Sequence, residues 1–79
     1  MTNLDELIKH YSYIVKYSLE DELYVAKCLE LGIMAHADRQ EEAIKEIKEA
    51  TRVHLLMLDE DGESIPQPLS DLQVYELTN

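Results

Sequence analysis

The apolar residues change their period near the middle of this chain. From Tyr11 to Ala37 they alternate or cluster in short β-branched and aromatic runs, and from Ala43 to Leu58 they recur every three or four positions. Alternation belongs to strands, whose side chains point to opposite faces in turn; three-and-four spacing belongs to one face of a helix. Tyr11–Ser18 (YSYIVKYS) predicts a first strand, with Tyr11, Tyr13, Val15 and Tyr17 on one face and Ser12, Ile14, Lys16 and Ser18 on the other. The charged run SLEDE then breaks the pattern and serves as a hairpin connection. Leu23–Leu29 (LYVAKCL) predicts a second strand. Its face of Tyr24, Ala26 and Cys28 has small residues where a helix could approach closely, so this face is expected beneath the helix. Gly32 supplies backbone freedom for the next turn, and Ile33–Ala37 (IMAHA) predicts a short third strand.

The helix is predicted over Asp38–Gly62, with Ala43, Ile44, Ile47, Ala50, His54, Leu55 and Leu58 on its apolar face. Asp38 and Glu41 stand in capping-box spacing, and Glu42 adds negative charge at the positive end of the helix dipole. Gly62 is the natural stop. Val53, Leu56 and Met57 fall off the sheet-facing side yet are apolar, which makes them candidates for an oligomer interface. Upstream, residues 1–10 predict a short helical turn with Asn3 and Glu6 in capping spacing and Leu4, Leu7 and Ile8 on one side. Downstream, Pro66 and Pro68 make 63–71 an extended crossing segment, and the alternating Leu72–Leu77 (LQVYEL) predicts a fourth strand.

Strand, strand, strand, helix, strand is an α+β order within one domain, 1–79. A right-handed crossover returns strand 4 parallel to strand 1 and beside it. The expected sheet is mixed and four-stranded, ordered 3-2-1-4, with the long helix covering one face. The other face is left bare, carrying either the Tyr stripe or Ile14, Val25 and Leu29, and an exposed apolar face of this kind marks an interface.

Composition sharpens this picture in three ways. The 79-residue chain buries only roughly 60% of its unfolded surface as a monomer, so association would help it. The net charge of −10, from 17 acidic and 7 basic residues, argues against direct nucleic-acid binding and fits either a partner with a basic face or a self-repelling surface that only keeps a small protein soluble. Cys28 is alone, so a disulfide framework is ruled out, and the absence of a signal peptide or a membrane-length apolar run makes a cytoplasmic location the expectation.

Taken in order, YSYIVKYSLEDELYVAKCLELGIMAHADRQEEAIKEIKEA followed by DGESIPQP resembles the HicB-like antitoxin family. The matching positions are Tyr24, Val25, Ala26, Cys28, Glu30, Leu31, Asp38, Glu42, Ala43, Gly62, Ile65, Pro66 and Pro68. Two positions depart: Ala37 stands where the family has Gly, and Arg39 where it has Thr. The resemblance implies a partial ribonuclease-H-like βββαβ fold. It also implies a function, the neutralisation of a small basic RNA-cleaving toxin of the HicA type by direct binding. Members often carry a C-terminal DNA-binding segment; the 79 residues leave no room for one after the fourth strand, so DNA binding by this chain is not expected.

Catalytic chemistry is not expected. A nuclease of ribonuclease-H type needs an acid on the first strand to help hold paired metals, and Tyr11–Ser18 has none. His10, His36 and His54 lack ligand spacing, Cys28 reads as a small core residue, and Asp59–Gly62 reads as a helix end rather than a calcium loop. Metal and cofactor sites are therefore expected to be absent. The candidate toxin contacts are Glu20, Asp21, Glu22 and Glu30, acids on connections between strands. The alternative to a toxin partner is an orphan homo-oligomeric regulator or scaffold.

Overall fold

The computed structural model describes residues 3–69. Its elements are α1 (Leu4–His10), β1 (Tyr13–Ser18), β2 (Leu23–Cys28), β3 (Ile33–Ala37) and α2 (Gln40–Glu60). The fold is α+β, a three-stranded antiparallel sheet ordered β1-β2-β3 with two helices. The predicted fourth strand, Leu72–Leu77, lies outside the described residues.

Helix α1 forms because Asn3 caps it: the Asn3 side chain accepts from the backbone N–H of Asp5 at 3.0 Å and of Glu6 at 3.4 Å. Seven residues are too few to hold a helix alone. Burial of Ile8 holds it, together with an ion pair from Arg52 of α2 to Asp5. The predicted first strand begins two residues late, since Tyr11 is the C-cap of α1 and its ring goes into the core. The second ends one residue early, at Cys28.

The sheet register pairs Tyr13 with Cys28, Val15 with Ala26 and Tyr17 with Tyr24; across the other side of β2 it pairs Ala26 with Ala35 and Cys28 with Ile33. Period-two alternation then puts the Tyr13, Val15, Tyr17 row and the Tyr24, Ala26, Cys28 row on one face. That face meets α2. Ala26 and Cys28 are wholly buried in a cluster with Ala43, Ile47 and Leu55. The bare face is consequently the one that carries Ile14, Val25 and Leu29, and the Tyr stripe is on the covered side.

Helix α2 differs from its predicted form at the start. Asp38 is not the cap and the capping box does not form; Arg39 is the N-cap and makes no side-chain capping bond. The reason lies in the strand before it. Ala37 still pairs with Tyr24, so the chain needs both Asp38 and Arg39 to turn out of the sheet before helical bonding begins, with Ala43 N–H donating to Arg39 at 2.9 Å. The far end is as predicted. Gly62 has φ 69°, Glu63 N–H reaches back to Leu58 C=O at 2.8 Å, and Gly62 N–H reaches Asp59 C=O at 3.2 Å. This pair of bonds is the Schellman closure that a glycine in the left-handed region permits. Thr51 takes a core position that the apolar pattern passed over. It is fully buried, and its hydroxyl donates to the Ile47 carbonyl at 2.7 Å, which removes the cost of its burial.

Candidate protein-binding surfaces

Four groups of residues could carry recognition, and the structure treats them differently. The first is the β1–β2 turn. Glu20, Asp21 and Glu22 are all exposed there. Ser18 and Asp21 fasten the turn: the Ser18 hydroxyl lies 3.2 Å from the Asp21 carboxylate and also accepts from Asp21 N–H at 3.2 Å. Glu22 closes it with φ 53°, the one non-glycine residue with positive φ among those described. Three neighbouring carboxylates therefore project from a tight loop whose shape is set by the backbone.

Glu30, the fourth predicted contact acid, sits elsewhere and acts differently. Its Oε1 and Oε2 accept from Ser12 N–H at 2.8 and 3.0 Å, and Oε2 accepts from Leu69 N–H at 2.9 Å. Burial alone would raise its pKa, but the Leu69 and Ser12 amides outweigh that and hold the carboxyl below its ordinary value. Nearby, the Tyr11 hydroxyl donates to Pro66 C=O at 2.6 Å, and Tyr13 donates to Ile8 C=O at 2.7 Å. Burial, reinforced by Cys28 and Glu30, pushes Tyr13 up to about 12. Burial likewise raises the Cys28 thiol, which sits 3.8 Å from the Glu30 carboxylate and is a protonated core group. Glu30 thus ties the start of β1 and the segment after α2 to the end of β2. Sequence reading placed it with the loop acids because Ser12 and Leu69 are far from it along the chain.

The third group lies on α2. Val53, Leu56 and Met57 are 54%, 50% and 57% exposed, and their spacing of three and four makes one stripe. Glu42, Glu46 and Glu49 are exposed on the same outward side by helical geometry, and Lys45 is among them.

The fourth is the uncovered sheet face. Ile14 at 49%, Leu29 at 38% and Met34 at 66% exposure are its large apolar residues. Two grooves cross it, one lined by Asp21, Leu23, Val25, Met34, Ala35 and His36, the other by Ile14, Lys16, Val25, Lys27, Leu29 and Met34. The register aligns Ile14, Lys27 and Met34 in one row and Lys16, Val25 and His36 in the next. No acid occurs within any of the three strands. Within the strands the charged residues of this face are Lys16 and Lys27, and the acid beside it is Asp21 of the β1–β2 turn.

His54 is half-buried on the inward side of α2, and His10 lies 3.7 Å from Glu6 on α1. No group of three or more His, Cys, Asp or Glu side chains able to hold a metal occurs among the described residues, and no helix among them is long and apolar enough to cross a membrane. Compared with known proteins, the chain matches no family model, no curated protein and no solved structure.

Proposed function

We propose that this chain is a HicB-like antitoxin-type module, which neutralises a small basic RNA-cleaving toxin of the HicA type by binding it. The observation that carries the reading is the exposed acidic turn, Glu20, Asp21 and Glu22, on a chain of net charge −10. A protein that cleaves RNA must present cations to phosphates, and a rigid loop of carboxylates competes for those cations. The chain itself is no enzyme in this reading, uses no cofactor or metal, and contacts neither DNA nor membrane directly.

The ordered resemblance supports the same reading, because its positions coincide with the framework of the fold. Ala26 and Cys28 are the floor beneath α2, Gly62 ends the helix, Pro66 accepts from Tyr11, and Pro68 is fully buried. The full partial ribonuclease-H-like fold, with Leu72–Leu77 parallel to β1 in a 3-2-1-4 sheet, belongs to this proposal. Glu30 supports it by holding Leu69 and Ser12, the residue that precedes β1, on one carboxylate, which brings the chain after α2 near the start of β1.

The test is co-expression with a small basic protein encoded beside this chain. A complex should form at low salt and dissociate as salt rises. Reversing the two turn acids that make no side-chain bond within the turn, with Glu20→Lys and Glu22→Lys, should weaken it by about 10- to 100-fold, with little change in melting temperature. Failure of every such neighbour to bind at low salt would overturn the reading.

A second reading, an orphan homo-oligomeric regulator or scaffold, is favoured by the exposed Val53, Leu56 and Met57 stripe. Apolar side chains half open to water on an otherwise charged helix side gain by association.

A further inference from the structure

We infer that the uncovered sheet face of one copy receives the outward side of α2 from a second copy, so that copies stack head to tail. This rests on the homo-oligomer reading and supplies the partner of the α2 stripe. Two surfaces that no other described residue covers lie on opposite sides of the same two-layer unit, and they are complementary in both respects that matter. Each has an apolar centre: Val53, Leu56 and Met57 on the helix, and Ile14, Leu29 and Met34 on the sheet. Their charges are opposite. The strands of the sheet face carry Lys16 and Lys27 and no acid, with Asp21 confined to the turn end of the face, whereas the helix side carries Glu42, Glu46 and Glu49 against Lys45. Arg52, the other nearby cation, is already paired with Asp5 of α1.

Charge decides among the possible pairings of copies. Sheet face on sheet face would bring lysines towards lysines, and helix on helix would bring the glutamates together. Helix on sheet sets the glutamates over the lysines and covers both apolar centres, giving the sheet a helix on each side. Because the two contacting surfaces are different, the contact is heterologous and produces a ring or a growing stack rather than a twofold dimer.

The experiment is sedimentation of three proteins over a concentration series, with melting curves to show that each is folded. One is the unaltered chain, one carries Lys16→Glu and Lys27→Glu, and one carries Glu46→Lys and Glu49→Lys. All four side chains are exposed, so the fold is expected to survive. The unaltered chain should grow beyond a dimer. Each variant alone should associate at least about tenfold more weakly. An equimolar mixture of the two variants should recover association, because each reversed surface then meets its opposite. A monomeric unaltered chain would end both this inference and the homo-oligomer reading. Oligomers abolished by only one pair of reversals, or variants whose mixture does not recover, would leave oligomerisation standing and overturn the head-to-tail contact.

Discussion

The two faces of the sheet are made by the same three strands, and they have opposite fates. On the covered face Ala26 and Cys28 are wholly buried. On the other, Met34 is 66% exposed, although it is larger and more apolar than either. No single large apolar residue therefore chose which face the helix covers. An unbroken apolar and aromatic face did, from Tyr13 and Val15 to Ile33 and Ala35, with small residues in the middle of β2 that let Ala43 and Ile47 of α2 close down on the sheet. The lysines did as well. Burying Lys16 and Lys27 under the helix would strip two ammonium groups of water, at a cost that no carboxylate in the strands could offset.

The largest predicted effect comes from breaking this asymmetry on its strong side. Leu55→Ala empties a fully buried site and should lower stability by about 2–5 kcal/mol. Met34→Ala removes a comparable volume from the open face and, at a dilution where the chain does not associate, should change it by no more than about 0.5 kcal/mol. At about 4–8 °C per kcal/mol for a domain of this size, melting curves separate the two easily. Similar losses for both would mean that the open face is covered in the molecule in solution.

Much of this asymmetry was legible in the sequence. Ile33–Ala37 was bounded correctly, Asn3 caps α1, Gly62 stops α2, and Tyr24, Ala26 and Cys28 were set beneath the helix from their sizes. Local chemistry governs each of these. What was not legible depends on distant partners. The Tyr stripe could be assigned to either face until the register was known. Thr51 was passed over because it is polar, although it falls in line with Ala43, Ile47 and Leu55 at four-residue spacing; that spacing was the available signal. Asp38 has the chemistry of a cap, but the Ala37–Tyr24 pairing displaced the helix start. Glu30 was grouped with the loop acids, and nothing local reveals that its carboxylate receives amides 18 and 39 positions away.

Glu30 sharpens the comparison next, since it handles charge differently from the lysines of the open face. Lys16 and Lys27 keep their hydration, while Glu30 replaces water with backbone donors. Glu30→Ala leaves Ser12 and Leu69 amides without their acceptor and should cost about 1–3 kcal/mol. Its pH dependence has a definite sign. The folded pKa is depressed, so the contribution is complete above the unfolded value of 4.5 and is lost as pH falls through the lower folded value. The unaltered chain should therefore lose stability across that acid window, and Glu30→Gln should flatten that part of the profile. Partner binding separates the predicted contact acids further: Glu30→Gln should leave affinity for a basic partner within about twofold while lowering stability, since its oxygens are already engaged. A loss of affinity matching that of the turn acids would place Glu30 in the contact after all.

The smallest effect concerns the turn that sets the register, and through it the identity of the covered face. A slip of one residue between β1 and β2 would carry Val25 and Lys27 under the helix in place of Ala26 and Cys28. Glu22 helps to fix the pairing of Ser18 with Leu23 by closing the turn at φ 53°, a conformation that glycine adopts without penalty and glutamate does not. Glu22→Gly should accordingly raise stability by up to about 1 kcal/mol, or leave it unchanged where the added freedom of the unfolded chain cancels the relief. The same substitution removes one of the three projecting carboxylates, and affinity for a basic partner should fall by roughly two- to tenfold. Stability held or raised while affinity falls is the signature of a residue kept in a strained position for what it contacts. A clear loss of stability with affinity unchanged would assign Glu22 to the hairpin alone, and would shift the candidate contact to Glu20 and Asp21.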